Sequence, residues 1–191
     1  MKPMAFVRVH AWLIDMLTIA AWIAALAVVG VSLYLTDVMP ALSASATQAL
    51  SFLILVAPVT VGLALLESGS RGATVGKHAR RLLVVTVDGR LQVSFGRALI
   101  RNTVKVALPW ELGHLVVYGL AGGSSSGSVP AWLVLATAAA YVIPAIYVIT
   151  LFVGNGRTPY DRLSRTTVTR SLDHSDPPRR STVDRLPLQL E

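Results

Sequence analysis

AWLIDMLTIAAWIAALAVVGVSLYL, residues Ala11 to Leu35, is almost wholly apolar and carries one ionisable side chain, Asp15. A helix crosses about 30 Å of hydrocarbon with roughly 20 apolar residues, so this run has the length of a membrane span. It is longer than the ~7–15-residue apolar core of a signal peptide, and no small-residue cleavage site follows it. A charge at the centre of such a helix costs about 2.5–3.5 kcal/mol on insertion scales. Asp15 therefore calls for a partner. Arg8 is the nearest basic residue on nearly the same helical face, two turns earlier, and the pair is expected to meet at the membrane boundary.

The rest of the chain keeps to this pattern. Hydrophobic residues make up 53% of the 191 positions and charged residues 14%, against about 25% charged in soluble domains. Further apolar segments run over about 49–66, 104–120 and 131–153. The expected fold is an all-α membrane protein with four transmembrane helices. Residues 1–170 form the membrane domain and 171–191 a disordered, polar, Arg-rich tail. The segment at 104–120 is the most polar of the four, holding Lys105, Pro109, Glu111 and His114.

Charge sets the orientation. Of the 17 Lys and Arg, 16 fall before the first segment, between the second and third, or after the fourth, and Lys105 stands at the very start of the third. The positive-inside rule then places both termini and the central loop in the cytoplasm. The basic pI of about 10.4 is read as topology, and nucleic acid is not expected as a partner. The Gly/Ser stretch at 122–128 is expected to be a flexible outer connection.

The central loop carries structure of its own. Leu82 to Val87 is apolar and β-branched, Asp88-Gly89 follows, and Arg90 to Val93 comes next; this is the pattern of a short β-hairpin. Arg97, Arg101 and Lys105 recur every four residues and form a basic stripe on an amphipathic helix leading into the third segment. Together with Lys77, Arg80 and Arg81 they are expected to bind anionic lipid headgroups.

Few residues carry recognisable chemistry. Cys is absent, which excludes disulfides and thiolate sites. Gly72 to His78 looks like a phosphate loop but lacks its first Gly and its Ser/Thr; it is expected to be a tight turn with Lys77 at the headgroups. Glu111 and His114, three apart on one face, are candidates for a proton or cation relay or for a packing hydrogen bond. One carboxylate and one His are too few for a metal site, and no cofactor is implied. No hydrolase constellation can be made out, so the chain is not expected to be an enzyme. Trp12, Tyr34, Trp110, Tyr118 and Trp132 lie near span ends, as an aromatic belt does.

Three blocks together resemble the RDD family of bacterial membrane proteins, named for an Arg and two Asp residues. Arg8-Val9-His10-Ala11-Trp12-Leu13-Ile14-Asp15 looks like the family's opening. Gly72 to Lys77, through Asp88-Gly89 to Gly96-Arg97-Ala98-Leu99-Ile100-Arg101-Asn102, looks like its central block. Asp161-Arg162-Leu163-Ser164-Arg165-Thr166 looks like its closing D-[RK]-L-x-x-T, with Arg165 where a small residue is usual. The resemblance makes Arg8, Asp15 and Asp161 the family's charge cluster. It implies a multispan inner-membrane protein of poorly defined activity, with transport, including cation/proton exchange, as what it most suggests. The alternative is a non-transporting accessory protein that binds anionic lipid or a partner protein. Four short spans hardly enclose a pathway, so a homo-oligomer or larger membrane complex is expected. The small residues Ala136, Ala138, Ala139 and Ala140 are its candidate helix contact.

Overall fold

The structure, a computed structural model, describes residues 3–38, 42–121 and 129–171. The apolar run at the start of the chain becomes α1, Pro3–Leu35. At 1.5 Å per residue it is about 50 Å long, well beyond the roughly 30 Å hydrocarbon thickness. α2, Ala44–Ser51, runs through a π-turn at Phe52–Val56 into α3, Ala57–Ser68. After a turn at Gly72 come α4, Val75–Ala79, and strand β1, Leu82–Thr86. α5, Phe95–Asn102, passes through a second π-turn at Thr103–Ala107 into α6, Leu108–Ala121. α7, Ala131–Phe152, α8, Pro159–Leu163, and strand β2, Thr166–Arg170, complete the order.

Both π-turns stand just ahead of a proline, Pro58 and Pro109. Proline has no N–H to give to residue i−4, and its ring crowds that carbonyl. The helix widens by one residue before it: Ala57 N–H bonds to Phe52 O and Leu108 N–H to Thr103 O. At the second turn the Tyr147 hydroxyl donates to Val104 O at 2.7 Å, which satisfies a carbonyl outside the regular ladder.

Three helical stretches are long and apolar enough to cross a membrane: Met4–Leu35, Ser45–Ser68 and Ala131–Phe152. The fourth expected span, 104–120, is helical but not among them; Lys105, Glu111 and His114 dilute it. Many apolar side chains of the spanning helices face outward, with Leu17 and Leu135 about 70% exposed in the isolated chain, as lipid-facing residues are, while Ile19, Val59 and Leu63 pack inward with Val106.

Full burial concentrates at one end. β1 and β2 pair antiparallel, with Val84 opposite Val168. Ala11, Leu82 and Val168 pack together there, and Ala64, Val84, Val93 and Ala98 form an adjoining core. The expected hairpin is corrected at this point. The Asp88-Gly89 turn exists, and Thr86 N–H reaches Arg90 O at 3.0 Å, but residues 91–93 form no strand. The edge they would need is taken, because Val84 N–H donates to Gly72 O at 2.8 Å. β1 pairs instead with residues eighty or more positions away. The Gly/Ser connection at 122–128 and the expected tail from residue 172 onward lie outside the described residues.

Candidate functional site: a buried ion network beneath an interhelical cavity

Asp161 is fixed by its own helix. Thr158 caps α8: Asp161 N–H donates to Thr158 Oγ1 at 3.4 Å, and Thr158 N–H donates back to Asp161 Oδ2 at 3.2 Å. This reciprocal box satisfies two donors that a helix start leaves free. It also aims the Asp161 carboxylate at two guanidinium groups. Arg8 Nη2 donates to Oδ2 at 2.6 Å, and its Nη1 donates to Gly156 O at 2.6 Å. Arg101 donates to Oδ1 from Nε at 3.1 Å and from Nη2 at 2.9 Å. Its remaining edge, Nη1, reaches Glu67 Oε1 at 2.5 Å. Lys77 Nζ also donates to Glu67 Oε1, and Asn102 Nδ2 donates to Glu67 Oε2 at 2.9 Å.

Arg101 is therefore the hinge-pin of the network. It is 1% exposed, joins two fully buried carboxylates, and lies 5.4 Å over the Tyr160 ring. Its planar fork of five donors serves two carboxylates at once, which a lysine's single ammonium does not. The network ties α1, α3, α4, α5 and α8 into one unit. Burial alone would raise the Asp161 carboxyl, but Arg101 and Arg8 hold it well below the usual carboxylate range. Burial pushes the Lys77 ammonium down to about 7, with the Arg101 guanidinium adding to the shift against the pull of Glu67.

The expected pairing of Arg8 with Asp15 is not formed. Seven residues of helix separate their Cα atoms by about 10 Å along the axis, and each finds a nearer partner. Asp15, 2% exposed, accepts from Thr74 Oγ1 and from Gly76 N–H, both at 2.7 Å. α4 sits directly on α1 here, and only glycine permits it: a Cβ on Gly76 would overlap the carbonyl oxygen of Ala11. Arg8 links the start of α1 to the region after the last span through Asp161 and the Gly156 carbonyl.

The expected lipid-binding residues separate into two groups. Arg101 and Lys77 are corrected: both are buried in the network, since each lies within reach of Glu67, and neither faces headgroups. Arg80 and Arg81 are exposed, while Arg97 and Lys105 are half-buried. Glu111 and His114 do approach one another, with Nδ1 3.7 Å from Oε1. His114 Nε2 accepts from Trp110 Nε1 at 3.1 Å, so the neutral ring carries its proton on Nδ1, toward Glu111. Tyr118 continues this column and meets Ser51 Oγ at 3.0 Å. The pair is separate from the ion network.

A cavity of about 410 Å³ lies between α1, α6 and α7, with the network at its floor. Arg8, Asp15, Lys77, Arg101 and Lys105 reach its lining. Its walls are apolar, including Met16, Trp110, Pro144, Val148 and Leu151. Among the described residues no group of three or more His, Asp or Glu could hold a metal ion.

The model of the RDD family matches residues 2–165. The chain belongs to the RDD family. No curated protein and no solved structure matches it. The matched RDD segment contains every member of the ion network. Of the three residues that the resemblance singled out, Arg8 and Asp161 bond each other, and Asp15 anchors α4 beside them. Glu67, Asn102 and Thr158 were not foreseen. Glu67 ends an apolar run, and an acid in that position is a signal that it needs a partner. Arg165, the departure from the closing block, adopts φ +53° with its side chain exposed. This left-handed conformation favours a residue without a Cβ.

Proposed function

We propose that this RDD-family membrane protein serves in transport, with the cavity between α1, α6 and α7 as the place its cargo occupies. The supporting observation is the position of that cavity. It is a space in otherwise lipid-facing helices whose floor is the buried ion network. Ligand sites combine apolar walls with a few convergent polar groups in this way. The rigid network below gives the helices a fixed base against which α7 can move.

A small cation is the least suitable cargo. The cavity lining holds one carboxylate, Asp15, against four cations, Arg8, Lys77, Arg101 and Lys105. At about 4 Å a like charge costs roughly 4 kcal/mol at an effective dielectric of 20. Proton movement is better served by Glu111 and His114, which stand away from those cations and reach the cavity wall through Trp110. The second reading is a lipid-binding accessory protein, and the same cavity supports it. In both, the charged end faces the cytoplasm, as the distribution of Lys and Arg suggests.

Purified protein in proteoliposomes separates the two. Under the transport reading, an imposed gradient gives proton flux above empty liposomes, or a fluorescent phosphatidylglycerol redistributes between leaflets, while sodium and potassium flux stays at the empty-liposome level. Glu111→Gln abolishes proton-coupled flux while the protein stays folded. Absence of both proton flux and lipid redistribution favours the accessory role.

A further inference from the structure

The cavity floor carries an unbalanced charge. Glu67 and Asp161 are matched by Arg8, Lys77 and Arg101 through direct ion pairs, and Asp15 is held by neutral donors. Counting these groups gives three acids, Asp15, Glu67 and Asp161, against four bases once Lys105 is included. With Lys77 protonated, the form in which it pairs with Glu67, the surplus is one positive charge. Lys105 is the base among the four that makes no ion pair within the described residues, and it is half-buried on the cavity lining. An ammonium removed from water without a counter-ion is costly, so the site as built favours an anion.

The position of Lys105 adds to this. It sits in the middle of the π-turn Thr103–Ala107, which Pro109 imposes. Such turns displace a side chain from the regular helical face and recur at functional sites. The walls then run from Arg8 to Met16 along α1, about 12 Å at 1.5 Å per residue, and beside them lie Trp110, Pro144 and Leu151. A small inorganic anion would leave these apolar walls uncovered. A zwitterionic or neutral lipid would leave the surplus charge unmatched.

We propose that the cavity binds one anionic phospholipid, its phosphodiester on Lys105 and an acyl chain along the walls formed by α1, α6 and α7. This deepens the cargo-site reading above and rests on the cavity assigned there. A phosphodiester carries a single negative charge, which matches the surplus of one. Anionic lipid was expected from the sequence on the basic stripe; here it occupies an interhelical site instead, with Lys105 the residue of that stripe that lines the cavity without an ion pair among the described residues.

The test is lipid retention by the full chain purified in a zwitterionic detergent, read by native mass spectrometry. Equal amounts of phosphatidylglycerol, phosphatidylcholine and palmitate are added. The expected result is one phosphatidylglycerol per chain, with little phosphatidylcholine. Lys105→Gln should lower its occupancy at least tenfold, and Lys105→Arg should largely restore it. Leu151→Trp, which narrows the apolar wall and leaves every charge in place, should lower it as well. Arg97→Gln, two turns away and off the cavity, should leave it unchanged. Equal loss with Arg97→Gln and Lys105→Gln would show surface attraction and overturn the cavity site. Retention of palmitate in place of phosphatidylglycerol would overturn the phospholipid assignment, and retention of phosphatidylcholine to the same extent would overturn the role of charge. Binding without flux in the liposome experiment would sustain this proposal while transport fails. Flux without lipid retention would do the reverse.

Discussion

Arg101→Met should be the most damaging single change within the ion network. The methionine keeps much of the stem's volume and removes the guanidinium. Three charge-assisted hydrogen bonds go with it, at 2.5, 2.9 and 3.1 Å. At about 1.5–3 kcal/mol each their sum would be large, but the sum overstates the loss. Glu67 keeps Lys77 and Asn102, and Asp161 keeps Arg8 and the Thr158 N–H. The cost of desolvating the guanidinium also disappears. Breaking a buried pair from one side costs about 3–5 kcal/mol, which is the expected range here. For a soluble domain of similar size each kcal/mol lowers the melting temperature by about 2–4 °C, so a drop on the order of 10 °C is expected. The assay is thermal unfolding in detergent, followed by circular dichroism and by loss of a monodisperse elution peak. Arg97→Met is the control, since Arg97 makes no ion pair among the described residues; it should stay within about 0.5 kcal/mol of the parent. Arg101→Lys should recover only part of the loss, because one ammonium cannot serve both carboxylates. Combining Asp161→Asn with Arg101→Met should show a coupling of about 0.5–3 kcal/mol. Equal melting of Arg101→Met and Arg97→Met would refute the claim that the network holds these elements together.

Gly76→Ala should fail to fold or lose most of its yield, because the new Cβ overlaps the Ala11 backbone, whereas Gly96→Ala, which meets open space on α5, should be neutral or stabilising by up to about 1 kcal/mol; expression and elution profiles compare them. Thr158→Ala removes the cap of α8 and should cost about 1 kcal/mol, measured as a lower melting temperature. Asp161 has its folded pKa held below the ordinary value near 4, so below about pH 4 the unfolded chain binds more protons and stability is lost as pH falls further; Asp161→Asn should flatten that acid limb. Lys77, pushed down to about 7, binds fewer protons folded than unfolded between there and its ordinary value near 10.4, so stability should rise with pH across that window; an identical rise in Lys77→Met would exclude Lys77 as its source.

The membrane class, three apolar spans and the charges Arg8, Asp15 and Asp161 were legible in local sequence. An apolar run of twenty-odd residues has few ways to satisfy its backbone except as a helix in lipid, so 11–35, 49–66 and 131–153 were legible without a fold. Arg8, Asp15 and Asp161 stood out because a charge beside such runs is expensive wherever it lies. Which charge meets which was decided only by the tertiary structure. Arg8 had Asp15 close by in sequence, yet pairs with a carboxylate 153 positions away, because α8 closes over the start of α1. Arg101 and Lys105 share one spacing, and the sequence could not tell the buried one from the free one. That depended on Glu67, which arrives from another helix. The strand pairing was misread for the same reason: hydrogen bonding along an edge goes to whichever backbone reaches it, and the Gly72 turn took the place that the next residues in the chain would have filled. The cavity above the network has no signature in the sequence at all, since it is a space that α1, α6 and α7 leave between them.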